Sequence, residues 1–245
     1  MRVLYKMTQV EAKLFIREPA AMFFTIAFPV MILLLFAGIF GNEPVPGMPS
    51  VRSVDLQAPG YTTMVIGTVA LIGLPITLAS YRQQGILRRM RATPLHPVTI
   101  LVAQVIVNLT MTILGILLLL ATARFIYGMS LPEAPFSVAA AFVFASLSFF
   151  ALGFVLAGLF SRVRTAQVMG QVIYFPMLFL SGALLPREMF PDFIKRISDF
   201  IPLTYVVELV QDLWIEGTWN LTALTVLLGL LVVSVAVSAR TFRWE

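Results

Sequence analysis

Six stretches of the chain contain no Asp, Glu, Lys or Arg, and each is at least 22 residues long. They are Pro19–Asn42, Leu56–Tyr81, Ala92–Ala123, Ala134–Ser161, Thr165–Pro186 and Gly217–Ala239. An α-helix rises ~1.5 Å per residue, so roughly 20 apolar residues cross a hydrocarbon core of ~30 Å. All six are long enough. The sequence therefore predicts an all-α membrane protein with six transmembrane helices, whose function has to operate within or across a bilayer.

Composition narrows the possibilities. Of 245 residues 59% are hydrophobic and 12% charged, about half the charged fraction of a soluble domain. The absence of cysteine excludes disulfides, thiolate catalysis and Cys-based metal sites. One histidine, His96, cannot build a His-rich metal site, and none is predicted. The net charge of +5 comes from basic residues that flank apolar runs, a topology signal rather than a nucleic-acid footprint. The first run exceeds a signal-peptide core and follows 18 residues, so a retained helix is expected.

Lys and Arg alternate between connections. The N-terminal segment, the second and fourth connections and the tail carry 12; the other connections carry 5. The positive-inside rule then predicts cytoplasmic N- and C-termini. Nine of the twelve acids fall on the opposite side and agree, though acids weigh little in this rule. The short cytoplasmic connections leave no room for a nucleotide-binding domain, and no G-x-x-x-x-G-K-[ST] sequence occurs. If ATP is used, another polypeptide is expected to bind it.

Three segments are not simple spans. Residues 1–18 read as an amphipathic interfacial helix. Val3, Leu4, Met7, Val10 and Leu14 lie on one arc, and Arg2, Lys6, Gln9, Lys13 and Arg17 on the next. It either anchors the first span or meets a cytoplasmic partner. In residues 82–97, Gln83–Ala92 reads as a short helix with Ile86, Leu87 and Met90 on one face and arginines around the rest. Pro94 and Pro97 break it. A plain positive-inside loop is the alternative; Gly85, the apolar triplet and the Pro-Leu-His-Pro exit favour a contact with a soluble protein. In residues 186–216, Phe193, Ile194, Ile197, Phe200 and Ile201 share one helical face. After Pro202 a second stripe runs through Val206, Leu209, Val210, Leu213 and Trp214. Two short extracytoplasmic helices are predicted, either interfacial or re-entrant between the spans, and acting as a passive loop or as a lid over an exit path.

Inside the spans the polar groups are mild, among them Thr68, Gln104, Asn108, Gln167, Gln171 and Ser181, and most read as glue between helices. No acid or base lies well inside a span, which counts against proton-coupled transport. Pro29, Pro75 and Pro176 are each expected to free a backbone carbonyl and bend a span. No HExxH, nucleophile elbow or intramembrane carboxylate pair is present, so no residue offers itself for catalysis.

Together these segments resemble the ABC-2 type permeases, the membrane subunits of a class of ABC exporters. The likeness covers nearly the whole chain, as one transmembrane domain over 1–245. It rests on the N-terminal amphipathic helix, the six spans, Gly85–Pro94 (Gly-Ile-Leu-Arg-Arg-Met-Arg-Ala-Thr-Pro) and the pattern Phe175-Pro, Ser181-Gly, Pro186, Pro191 and Pro202-Leu-Thr-Tyr205. Leu-Arg-Arg-Met-Arg-Ala-Thr-Pro-Leu looks most like the daunorubicin-resistance branch of drug and lipid exporters. Many relatives carry acids just before it, where this chain has Arg82, Gln83 and Gln84.

The resemblance implies a multi-pass protein of the cell inner (plasma) membrane. It implies a permease without its own ATPase site, moving a hydrophobic or amphipathic drug, lipid or glycolipid-like molecule outward. Two copies of an ABC ATPase subunit would bind ATP and Mg, leaving this chain with no cofactor of its own. A second permease chain, identical or related, and membrane lipid complete the expected partners, with no nucleic acid. Residues 82–97 would hold the coupling helix, with Gly85, Leu87, Arg88, Arg89, Arg91, Thr93 and Pro94 at the ATPase contact. The helix bearing Lys6, Lys13 and Arg17 would be the connecting helix. By the same analogy the second and fifth spans line the pathway, which nominates Thr68, Ile72, Met177, Leu178 and Ser181. A stand-alone secondary transporter and a non-transporting scaffold are the competing readings.

Overall fold

The computed structural model describes residues 2–45, 48–91 and 98–241. Helix α1, Arg2–Ile16, is followed at once by α2, Pro19–Ile39. Pro19 sits in the first turn of α2, where its missing amide hydrogen costs nothing. A short antiparallel hairpin follows, β1 Pro44–Val45 and β2 Met48–Arg52, pairing Pro44 with Arg52 and Val45 with Met48. It is an addition to the all-helical expectation. Helix α3 spans Ser53–Gln83, α4 Ile86–Arg91, α5 Val98–Tyr127, α6 Pro135–Leu159 and α7 Val163–Leu180. A single 3-10 turn at Arg187–Met189 leads to α8 Asp192–Ser198, α9 Pro202–Ile215 and α10 Leu221–Thr241.

Helix α3 is the axis of the bundle. It packs against α2, α5, α6, α7 and α9, and every residue from 58 to 71 is buried. A helix that is apolar on all sides can be surrounded by other helices without stranding a polar face. Its start is fixed by Asp55, whose Oδ2 accepts the Arg52 amide (2.9 Å) and whose Oδ1 accepts the Ser130 amide (2.6 Å). The outer helices turn apolar side chains outward, among them Met31, Leu35 and Ile39 on α2 and Val232 and Val233 on α10. Such faces suit lipid tails as solvent.

Among the described residues five helices are long and apolar enough to cross a membrane: α2, α3, α5, α6 and α10. Helix α7, which holds the predicted fifth span, is not among them. It has 18 residues, about 27 Å, and carries Arg164, Gln167 and Gln171 in its first half.

Two of the predicted proline sites share one device. A π-turn at Phe23–Ala27 precedes Pro29 by two residues, and another at Val69–Gly73 precedes Pro75 by two. The wider turn relieves the clash of a proline ring with the carbonyl four residues back. Those carbonyls belong to Thr25 and Leu71, and each is met by a glycine of a neighbouring helix. A Cβ on Gly115 of α5 would stand 2.7 Å from Thr25 O. One on Gly170 of α7 would stand 2.5 Å from Leu71 O, and one on Gly153 of α6 only 2.2 Å from Ala70 O. Backbone thus lies directly on backbone, as small residues permit in membrane bundles.

The amphipathic segments form as helices, and in two of three much of the apolar stripe faces outward. On α1, Val10 and Leu14 of the predicted stripe are exposed, while Met7, Glu11 and Phe15 turn inward against α5 and the cavities beside it. On α8 the predicted stripe residues Phe193, Ile197 and Phe200 are exposed, and Ser198 is buried. Helix α9 behaves as predicted: Val206, Leu209, Val210, Leu213 and Trp214 are all buried. It inserts between α3, α6, α7 and α10 rather than lying outside them. The predicted Gln83–Ala92 helix is divided, because α3 runs on to Gln83 and Gly85 takes φ +66° before α4 begins. Glycine, lacking Cβ, holds that left-handed conformation at no steric cost.

Candidate functional site

A cavity of about 120 Å³ lies between the π-turn of α3, the first half of α7 and the start of α2. Its wall is mostly apolar, with Phe24 and Phe28 from α2, Val69 and Ile72 from α3, and Phe175 from α7. Polar groups enter at Thr68, Asn108, Gln167, Gln171 and Tyr174. Tyr174 is fixed in place: its hydroxyl donates to Met64 O (3.1 Å) and accepts from Thr68 Oγ1 (2.9 Å). Gly67 makes room for its ring, since a Cβ there would come within 2.6 Å of it. Each buried hydroxyl is thereby satisfied, as a buried polar group must be.

A second cavity, of about 330 Å³, adjoins the first and shares Phe15, Glu18, Ile76 and Thr77 with it. It is polar. Glu11, Ser80, Tyr81, Gln84 and Gln104 line it. Glu11 is 3% exposed, buried where α1 crosses α3 and α5. Its Oε2 accepts the Tyr81 hydroxyl and the Gln104 side-chain amide, both at 2.5 Å. Asn108, one turn along α5, donates to Gln104 O (2.8 Å) and Gln104 Oε1 (3.1 Å). A continuous polar ladder thus runs from one cavity to the other. Burial pushes the Glu11 carboxyl above the usual carboxylate range, opposed in part by the Tyr81 hydrogen bond.

The opposite end of α3 is closed by the segment between α7 and α10. Gln211 of α9 donates to Leu56 O near the start of α3 (3.1 Å). Arg187 pairs with both Asp199 and Glu208 and donates to Lys195 O (3.2 Å), which fastens α8 to α9. Burial raises the Glu208 carboxyl, and the Arg187 charge works against that rise.

Of the nominated pathway residues, Thr68 and Ile72 stand on the apolar cavity wall. Met177 packs half-buried against the core and Leu178 is buried within it. Ser181 is buried at the end of α7, donating to Leu178 O and accepting from the Ala183 amide, both at 3.3 Å. None of these three lines the cavity. In the loop nominated for partner contact, Gly85 forms the left-handed turn, Leu87 is buried, and Arg89 is exposed and donates to Gln84 O (2.9 Å). Arg88 and Arg91 lie on α4, while Thr93 and Pro94 fall outside the described residues. Lys6 and Lys13 are exposed along α1, and Arg17 is exposed in the turn just after it.

Sequence reasoning missed Glu11 and Tyr81 as a pair, and missed Tyr174. The Gln104/Asn108 spacing of one helical turn within an apolar run was the available signal, pointing to a polar partner on that face. Nothing local marks Glu11, which sits between the two arcs of its helix.

Comparison with known proteins agrees with this architecture. The family model described as ABC-2 type transporter matches residues 2–214. YvfS of Bacillus subtilis, whose name is that of a transport permease, is 26% identical over 203 residues, covering 82% of this chain and 81% of its own. YbhS of Escherichia coli K12, named as a multidrug ABC transporter permease, is 23% identical over 202 residues, covering 80% and 52%. ABC transporter G family member 20 of Dictyostelium discoideum is 27% identical over 177 residues, covering 71% of this chain and 24% of its own length.

Proposed function

Since the chain belongs to the ABC-2 type transporter family and is a multi-pass membrane protein, we propose that it is the permease subunit of an ATP-driven exporter. Its cargo is a hydrophobic or amphipathic molecule, drug-like or lipid-like, taken from the cytoplasm or inner leaflet. ATP and Mg belong to a separate ABC ATPase, two copies of which serve a pair of permease chains. In this reading it belongs with the daunorubicin-resistance branch.

In this reading α7 is the fifth of six spans, completed by the buried turn that follows Leu180, and both termini are cytoplasmic. The observation that carries the proposal is the polar ladder. It joins α1 to the end of α3 that leads through Gly85 into α4, and to a cavity lined by α3 and α7. A push on α1 or α4 from a cytoplasmic ATPase would reach the cavity wall through this contact. Differential docking of the ATP-bound and ATP-free partner would then bias two conformations of the pathway. Thr68 and Ile72 line that pathway, with Met177, Leu178 and Ser181 along its continuation towards the closed end. The segment 186–216 acts there as the lid.

The test is reconstitution with the cognate ATPase. Export is expected only with ATPase and ATP present, and replacing Leu87, Arg88 and Arg91 together is expected to leave ATP hydrolysis without export. Export driven by the chain alone would sink the proposal.

A further inference from the structure

A groove of about 480 Å³ lies between α5 and α6 and shares no residue with the two cavities beside α1. Its floor is buried: Ile116 of α5, Phe142 of α6 and Trp214 of α9. Its rims, at Ile113, Leu117 and Leu131, are exposed. From Ile113 to Arg124 helix α5 rises about 17 Å, close to the depth of one leaflet, about 15 Å. Arg124 is the one ionisable residue on this wall among the described residues, and it stands where α5 finishes. It is exposed, and among the described residues its hydrogen bond runs from Nη1 to Met129 O (2.5 Å). Arg52 Nη1 donates to Tyr127 O (3.4 Å), so two guanidiniums meet the turn that caps the groove. The acids of this end are engaged elsewhere. Asp55 accepts the amides of Arg52 and Ser130, and Glu133 Oε2 lies beside Gly217, 3.5 Å from where a Cβ would stand there.

From this arrangement we infer that the groove holds an anionic phospholipid, with its phosphate at Arg124 and one acyl chain along Ile113, Leu117 and Phe142. A guanidinium presents a planar fork of N–H donors that matches phosphate oxygens. The single bond to Met129 O leaves most of that fork to a headgroup. A soluble phosphate would meet Arg124 and leave the apolar floor uncovered, so the ligand that answers both parts carries its own hydrocarbon. A zwitterionic lipid would bring an ammonium towards Arg124 and Arg52, which favours a headgroup of net negative charge. The groove is no part of the cavity between α3 and α7. The lipid is therefore a resident of the fold rather than cargo, and the site stands whether or not the exporter reading does.

Trp214 in the floor gives the readout. With Trp219→Phe and Trp244→Phe it is the sole tryptophan of the full chain, and bromine on an acyl chain in the groove quenches its fluorescence. The probes are dibrominated phosphatidylglycerol and dibrominated phosphatidylcholine, each at a series of mole fractions in nanodiscs of unbrominated phosphatidylcholine. Half-maximal quenching is expected at a mole fraction about fivefold lower for the phosphatidylglycerol, the effect of one arginine on an anionic lipid. Arg124→Gln is expected to bring the two curves together. Ala121→Phe, which places a ring in the groove, is expected to weaken quenching by both lipids. Coincident curves in the chain with Arg124 overturn the inference, as does a preference that survives Arg124→Gln or quenching that Ala121→Phe leaves unchanged. Absence of quenching by either lipid means that protein, such as a second copy, covers the groove, and overturns it too. If neither variant elutes as a folded species, the comparison of the two lipids on the chain with Arg124 decides alone.

Discussion

Tyr81, two residues before the end of α3, donates its hydroxyl to the carboxylate of Glu11 on α1 at 2.5 Å. The two residues are 70 positions apart, and both are buried. This bond links an amphipathic surface helix to the axis of the bundle, and both residues line the second cavity.

Removing the hydroxyl tests how much the bond holds. Tyr81→Phe keeps the ring and leaves Glu11 with Gln104 as its sole partner. A loss of about 1–3 kcal/mol is expected, the range for a buried group deprived of a hydrogen bond. Thermal unfolding in detergent should show a lower midpoint, and an unchanged midpoint would argue against a structural role for the contact.

The Glu11 carboxyl also sets a pH dependence. Burial raises its pKa in the folded chain above that in the unfolded chain, so the native state holds the proton more tightly. Stability from this group is full below the unfolded value, about 4.3, and is lost as pH rises through the raised folded value. The unfolding midpoint of the native chain is expected to fall over that window. Glu11→Gln should fall less, and the difference between the two profiles isolates this residue from Glu208, which is raised by the same cause.

Glycine contacts at the π-turn give a steric prediction with an internal control. Gly153→Ala would press a methyl against Ala70 O at 2.2 Å, and Gly170→Ala against Leu71 O at 2.5 Å. Overpacking of this kind costs about 1–3 kcal/mol. Gly229→Ala on α10 meets nothing within 4 Å and should leave stability unchanged or slightly raised. Equal behaviour of the three variants in an unfolding assay would refute the close approach.

Thr68 and Tyr174 should act as a pair. Thr68→Val and Tyr174→Phe each break the 2.9 Å bond between them, so the double variant should cost less than the two single losses added together. A coupling of about 0.5–3 kcal/mol is expected for contacting residues. Additive losses in denaturant titrations would mean the bond contributes nothing to stability.

At the closed end, Arg187 holds two acids of unequal exposure. Asp199 is more than half exposed and Glu208 is largely covered. Arg187→Gln should therefore destabilise the segment more than Asp199→Asn, because exposed ion pairs contribute little and an unpaired covered carboxylate is costly. Limited proteolysis between α7 and α10 would register the difference, and the reverse order would contradict this ranking.

Much of the architecture was legible from charge and proline spacing. Six charge-free runs located every long helix, because hydrocarbon solvent forbids charge over that length. Pro202 and the stripe from Val206 to Trp214 gave α9 with its correct buried face. On α1 the apolar stripe did not say which side met protein and which met lipid. A stripe such as Val3–Leu14 reports a preference for an apolar environment, and lipid satisfies it as well as a protein core does. Val10 and Leu14 therefore remain outside, and Glu11 goes inward because Tyr81 and Gln104 wait there.

The sequence by itself settled that this chain lives in a bilayer, roughly where its helices run, and which family it belongs to, since those follow from residue types along one dimension. Only the tertiary structure decided that Glu11, Tyr81 and Gln104 meet, that Tyr174 bonds Thr68 on the cavity wall, and that glycines receive the carbonyls beside Pro29 and Pro75. Such contacts join residues tens of positions apart, and local periodicity carries no record of which distant group will satisfy a buried polar atom.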